Sequence, residues 1–456
     1  MARAWVIAAV LALALSGAAR ASDFTVPPTL RPQVDFWVSV FATWSKYQDA
    51  IHDPEHLERV YSVIDFRDQA ADGVSDGQID VMIRAEEDVE KARIRGLLMR
   101  LDAADPNQPL DAESERLRAL FADDRSSSKY RDAAESDRLR GQRGLRERFA
   151  HGLEIAHGYF PEMERIFRSA GVPVEITRLP MIESCFNMQA YSKVGAAGVW
   201  QFMPGTARNF MRVNDGVDER LDPLLATRAA ATFMRQNYNR LGTWPLAIKA
   251  WNHGPGGMAR AVRETGTTDI ATIIRNYHGP AFKFASRNFY PEFLAALHVE
   301  RNYRKYFGDL PLRPPLQSEI VRLESSTSLT AAARCAGSDP WALAELNPSL
   351  LGAVQSGRAA VPSGFELRVP PGGAARFDRC AASLPPPVMA RRAPVAGRST
   401  GERPKARTRT VHRVKAGQTL AGIAARYGCS VDQLRRGNGL RGGKVRSGQL
   451  LRIPPC

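Results

Sequence analysis

The sequence predicts a mainly α protein of several domains that closes with two small α+β (βααβ) units. Three observations carry that reading. Apolar residues recur at helical spacing in residues 23–140, and strand-type alternation is scarce from residue 145 to about 307. Gly and Pro turns cut the middle of the chain into short helical pieces. The order extended–helical–helical–extended then occurs twice, at residues 319–372 and 411–456. A chain of 456 residues holds two to four domains at roughly 100–200 residues each. With 44% hydrophobic and 24% charged residues, it is not a wholly disordered chain. No apolar run reaches the ~20 residues that span a bilayer, which excludes a polytopic membrane protein. The formal charge of +15 favours a polyanionic partner: nucleic acid, anionic lipid or an anionic wall polymer. Five cysteines are too few for a disulfide-built scaffold.

The elements follow in order. Arg3, the apolar run at residues 5–15 and Ala19-Arg20-Ala21 read as a signal peptide over residues 1–21. Export to the periplasm or cell envelope argues against nucleic acid as the partner. Residues 22–144 read as a helical N-terminal region. Phe36, Trp37, Val40, Phe41 and Trp44 form one packing stripe, and Ile79, Met82, Ile83, Val89, Ile94, Leu97, Leu98 and Leu101 form a second. No chemistry-bearing spacing occurs there. Residues 145–307 read as a compact, mostly α domain, followed by a proline-rich connector at 308–316. Residues 381–410 are rich in Pro, Ala and Arg, lack an apolar period and are expected to be disordered. Their cations suit a solvated spacer, or peripheral contact with anionic wall or membrane phosphates.

The chemistry concentrates in the 145–307 domain. Glu183 stands among Leu179, Met181, Ile182 and Phe186. A carboxyl group desolvated by such neighbours keeps its proton toward neutrality, as a general acid must. Ser192 follows, then a run of small residues from Gly195 to Gly198 that lets a ligand approach the backbone. Gln201 offers both donors and an acceptor, suited to sugar recognition. Ala250-Trp251-Asn252-His253-Gly254-Pro255-Gly256 and Asn288-Phe289-Tyr290-Pro291 complete the set. No CxxC pair or HExxH run is present, so a metal has no support, and no cofactor is implied.

In this order the blocks ESCFN, GVWQFMPGTA, AWNHGPG and FYPEFLAA resemble the soluble lytic transglycosylase catalytic domain, glycoside hydrolase family 23. The resemblance implies a goose-type-lysozyme-like fold over residues 145–307. It implies Glu183 as the single catalytic acid/base, with Ser192, Gln201, Met203, Trp251, Asn252 and Tyr290 as substrate-binding residues. Trp251 stands where the family usually has tyrosine, so a hydroxyl contact near the Glu183 carboxyl is expected to be missing. His253 stands where a small residue is common and reads as a loop residue. No second acid lies in a matching motif, and Asp215, Asp218 and Glu219 read as solvent-facing or helix-capping. The resemblance therefore implies cleavage of the β-1,4 bond between N-acetylmuramic acid and N-acetylglucosamine in peptidoglycan, with a 1,6-anhydro product. A hydrolytic muramidase and a non-catalytic peptidoglycan-binding scaffold are the alternatives.

The last unit resembles LysM, on Val414, Gly417, Gln418-Thr419-Leu420, Ile423, Tyr427-Gly428, Leu434, Asn438, Leu451 and Ile453-Pro454. That resemblance implies glycan binding by Gly417, Gln418, Thr419 and Asn438. Residues 319–372 resemble a degenerate copy, and Gln418 and Gly437 depart from the usual pattern. The repeat suggests disulfides Cys335–Cys380 and Cys429–Cys456 with Cys185 free. Four cysteines allow three pairings, and spacing alone does not choose.

Overall fold

The structure is a computed structural model that describes residues 24–105, 109–381, 411–414, 419–427, 429–440, 445–446 and 449–453. The expected signal peptide, the basic linker from residue 382 onward, and Gly417, Gln418 and Cys456 lie outside the described residues. Two compact units are present. One takes residues up to Met211 together with Arg220–Leu316, and the other Arg212–Glu219 together with the chain from Gln317.

In the first unit, α1 (Arg31–Ala42) starts with a proline in its first turn, where a missing N–H costs nothing. β1 (Gln48–His52), β2 (Val60–Asp65), α2 (Asp76–Ala103) and β3 (Arg140–Arg143) follow. Then come α3 (Arg146–Ala156), α4 (Leu179–Ser184), α5 (Pro223–Leu241), α6 (Trp244–His253) and α7 (Phe284–Arg301). The expected N-terminal stripe is real: Phe36, Trp37, Val40 and Phe41 are all buried. Val89 on α2, expected in the second stripe, is exposed.

The N-terminal region also holds a sheet that the sequence did not announce. Its order is β2-β1-β3, antiparallel, with Ala50 opposite both Val63 and Gln142. A wholly helical region is thus corrected to helices plus a three-stranded sheet. The physical reason is burial. Every residue of β1 is buried, so it shows no in–out alternation. β3 is the polar run Arg-Gly-Gln-Arg, with no apolar signal.

This region packs on α7. Phe24 meets Phe293 edge-on at 5.3 Å, and Phe41 stacks on Phe149 of α3 at 5.0 Å. The Trp37 indole N–H donates to the Asn288 side-chain carbonyl at 3.1 Å, and both residues are buried. Trp37→Phe keeps most of the packing but strands that carbonyl in the interior. Urea unfolding should show a loss of about 1–3 kcal/mol. An unchanged midpoint would mean the bond contributes nothing.

The second unit contains both repeats. β4 (Glu319–Arg322), α8 (Leu329–Ala336), α9 (Pro340–Leu346) and β5 (Glu366–Val369) form the first βααβ module, with β4 and β5 antiparallel. An added helix, α10 (Gly373–Ala381), carries Cys380, which is disulfide-bonded to Cys335. The second module has β6 (Val411–Arg413), α11 (Leu420–Arg426), α12 (Val431–Gly437) and β7 (Leu450–Arg452), with β6 and β7 antiparallel. Leu329, Leu343 and Leu367 fill one core where Leu420, Leu434 and Leu451 fill the other. Cys429 is also disulfide-bonded, and Cys185 is free. Asp218, expected to face solvent or cap a helix, is buried, and its N–H donates to the Ser349 carbonyl at 2.8 Å. The 212–219 segment packs on the first module through a bridge between Val217 and Leu350, which its polar sequence conceals. Among the described residues, no helix is long and apolar enough to cross a membrane.

Candidate active site

Helix α4 is only six residues long and delivers Glu183 near its C-terminal end. Cys185 and Phe186 then take left-handed backbone angles, φ 47° and 54°. Among the described residues the only other non-glycine with positive φ is Gln201, at 48°. Each such residue costs on the order of 1–3 kcal/mol and persists only where its surroundings impose it. Here the imposition is visible. Phe186 is fully buried against Tyr159 and Phe160. Gly152 of α3 lies so close that a Cβ would sit 2.4 Å from the Cys185 carbonyl oxygen. Gly198, at φ +73°, would place a Cβ 1.7 Å from the Arg220 carbonyl oxygen, so only glycine closes the turn leading to Gln201.

Glu183 lines an open cavity of about 840 Å³ together with Arg148, His151, Asn187 and Arg313. Burial raises its carboxyl from 4.5 to about 8, and a hydrogen bond from the Trp251 side chain pulls the other way. The expected hydroxyl is absent, yet the carboxyl still has a donor. An indole N–H stands in for the phenolic O–H, because the ring is held in place by Trp200, Phe202 and Phe233 at 5.4, 4.9 and 5.6 Å. Cys185 borders the same cavity, but burial pushes its thiol up to about 11, so it holds its proton and is a poor nucleophile.

Sequence reasoning missed two ionisable groups in this region, Glu292 and Lys249. Glu292 of α7 is raised to about 8, first by burial and next by the nearby charge of Glu183, while Lys249 and Arg140 oppose the rise. The expectation of a site with no second acid is corrected: Glu292 lies inside the fourth block, and only folding brings it to Glu183. Lys249 of α6 is fully buried, and its ammonium has no hydrogen-bond partner. It rests 4.7 Å over the Phe282 ring, and burial lowers it to about 7. A lysine in the otherwise apolar turn Leu246-Ala247-Ile248-Lys249-Ala250 was the signal available in the sequence.

The remaining expected residues divide into two groups. Gln201 donates from its amide to the Gly198 carbonyl at 2.8 Å, and Met203 is exposed at the start of a short helix. Ser192 accepts from the Ala196 N–H at 2.8 Å, so its oxygen closes the loop. The Asn252 side-chain carbonyl accepts from Ser286, which also meets the His253 ring at 3.1 Å, tying α6 to α7. Burial, with Lys249 and Arg260, holds His253 below the usual range, so it is neutral at neutral pH. Tyr290 is almost wholly buried, which pushes its hydroxyl well above the usual range. In the last module Thr419 accepts from the Gly422 N–H at 3.1 Å. Asn438 donates to the Leu434 and Arg452 carbonyls at 2.8 and 2.7 Å and accepts from the Arg452 N–H at 2.6 Å. Asn347 makes the same three bonds in the first module. Asn438 thus clamps the second helix to the last strand of its module.

The raised Glu183 carboxyl has a consequence for stability. The fold holds this proton more tightly than the unfolded chain does. Its stabilising contribution is present below 4.5 and is lost as the pH rises toward about 8. Glu183→Gln cannot ionise, so its Tm advantage over the parent should grow between about pH 5 and pH 8. A deficit that grows with pH would contradict a desolvated carboxyl.

The family model for the transglycosylase SLT domain matches residues 164–274, and that for the LysM domain matches residues 412–454. The chain is 28% identical over 332 residues to membrane-bound lytic murein transglycosylase D of Escherichia coli (strain K12), covering 70% of this chain and 69% of that protein. The solved lytic transglycosylase Slt inactive mutant from Pseudomonas aeruginosa aligns at 19% identity and a TM-score of 0.29, over 45% of this chain and 32% of that one.

Proposed function

We propose, for a chain that is a peptidoglycan lytic transglycosylase with SLT and LysM domains, that Glu183 alone serves both proton transfers and that the product is a 1,6-anhydromuramic end. The carrying observation is the Glu183 carboxyl, desolvated and facing the Trp251 N–H. Near neutrality it holds a proton to give to the glycosidic oxygen. The bond from muramic C1 to that oxygen breaks, the leaving N-acetylglucosamine keeps the proton as a hydroxyl, and positive charge develops at C1. The Trp251 N–H stabilises the carboxylate just formed. That carboxylate then takes the proton of the muramic C6 hydroxyl as its oxygen bonds to C1. Glu183 ends protonated, and no water is consumed.

Glu292 favours a second reading. Hydrolysing enzymes commonly use two carboxyl groups, one to activate water. Against it, burial holds Glu292 protonated up to about 8, so it is no ready base at neutral pH. Mass spectrometry of digested sacculi separates the two, since the anhydro product is lighter by one water than a reducing end. Glu183→Gln should lose ~10²–10⁴-fold or more in turnover while remaining folded. Parent kcat/KM on a soluble glycan should fall as the pH passes about 8, where Glu183 loses its proton. Near-normal turnover by the folded variant, or a rate that rises through that pH, would remove Glu183 from the role.

Export of the chain and sugar binding by its LysM domain belong to the same reading. Removing residues 381–456 leaves the 164–274 domain intact. It should weaken binding to sacculi, by up to ~10²–10⁴-fold for a tethered second module, with little change in cleavage of short fragments. Pull-down on sacculi beside turnover of a soluble glycan checks this. Equal binding by both forms would deny the module a binding role.

A further inference from the structure

A helix as short as α4 does not hold itself. Isolated helices below ~12–15 residues are marginal in water, yet Glu183 stands on the second-last of the six residues of α4. Its support comes from both ends. Beyond the C-terminal end, Phe186 is buried against Tyr159 and Phe160. At the other end stands a cation, Arg178, the residue just before the helix.

The Arg178 side chain is largely buried and its fork is in use. One arm donates to Glu164 and, at 2.8 Å, to the Thr177 hydroxyl. The other arm donates to Glu300 at 3.0 Å. Glu164 belongs to the helix Phe160–Ser169, and Glu300 to the last turn of α7. Arg301 pairs with Glu175 at 3.5 Å, a second tie between α7 and the turn that leads into α4. The Arg178 guanidinium also lies over the Phe160 ring at 4.1 Å, and Phe186 meets that same ring edge-on at 6.2 Å. One ring therefore braces the residues on either side of Glu183. Only a planar fork can bond two carboxylates and stack at once; a lysine offers a point charge.

Arg178 is not among the residues lining the Glu183 cavity, so its effect on the reaction passes through Glu183. An acid must sit within hydrogen-bond reach of the oxygen it protonates, and a misplacement of about 1 Å can cost ~10²-fold in rate. We propose that Arg178 is a positioning residue for the reaction: through Glu164, Glu300 and Phe160 it fixes the short helix that aims the Glu183 carboxyl. The inference rests on Glu183 as the acid of the proposed function.

Two variants test it, Arg178→Lys and the triple variant Arg178→Leu, Glu164→Gln, Glu300→Gln, which leaves none of the three charges unpaired. In each, kcat on a soluble glycan should fall about tenfold with KM within about twofold. The upper limb of the kcat/KM profile, set near 8 by Glu183, should move down by about one pH unit, because a loosened carboxyl admits water. The other ionisable groups at the carboxyl, namely Glu292 of α7, Arg148 and His151 of α3, Cys185 and Arg313, are unchanged, so the limb reports Glu183 itself. A merely structural arginine would lower Tm and leave the limb in place. Parental kcat with an unmoved limb in either folded variant would overturn the proposal. A second arm needs no turnover: the Tm gain of Glu183→Gln between pH 5 and pH 8 should shrink in the Arg178→Lys background, and an undiminished gain would also overturn it. A parent that cleaves nothing would count against Glu183 as the acid, while the thermal arm still decides whether Arg178 governs that carboxyl.

Discussion

The first unit depends on one helix being dry on nearly every side. Of the 18 residues of α7, 11 are buried, far more than the single stripe an ordinary surface helix covers. A helix of that kind needs partners all round it. α1 covers one side, α6 another, and α4 meets it where Glu183 is carried. The bond from Trp37 to Asn288 fixes α1 along the helix. Pro291 gives up the hydrogen bond its N–H would have made to the Arg287 carbonyl, one residue before Glu292. Packing tolerates that loss because so much apolar surface is buried around it.

The same dryness creates the chemistry. Removing water disfavours every charged form, so Glu183 and Glu292 rise while Lys249 falls. None of these groups is stabilised by an ion pair of its own, and each detracts from the stability of the unit at some pH. Strain accumulates in the same place, since the three described non-glycine residues with positive φ lie at Cys185, Phe186 and Gln201. Buried ionisable groups and strained backbone in one small region mark a site that the rest of the fold sustains. The aromatic ring of Trp251 belongs to both sides of that balance. It packs among three other rings and also turns its N–H to the carboxyl.

The two modules of the second unit make the opposite case, in which polar side chains serve the fold. Asn347 and Asn438 each close the same three hydrogen bonds between the second helix and the last strand. Ser328 and Thr419 accept from the N–H three residues on, at the start of the first helix of each module. Repetition of a residue can therefore report a shared fold constraint as readily as a shared ligand. The disulfide from Cys335 to Cys380 adds a covalent tie between α8 and α10 in the first module.

The sequence alone determined whatever depends on neighbours in the chain. Helical spacing marked the stripe of α1, and the repeated order marked both βααβ modules. The apolar residues flanking Glu183 already implied a carboxyl that keeps its proton. Local signals failed where burial erased them. β1 is buried on both faces and β3 is polar, so neither carries the alternation by which a strand is read. Only the tertiary structure brought Glu292 toward Glu183 and Lys249 toward Glu292, put an indole N–H where a hydroxyl was missed, and set Arg140 across from α7. The physical reason is that desolvation and Coulomb attraction act through space, over a few ångströms, while the residues they join are up to about 150 positions apart in the chain.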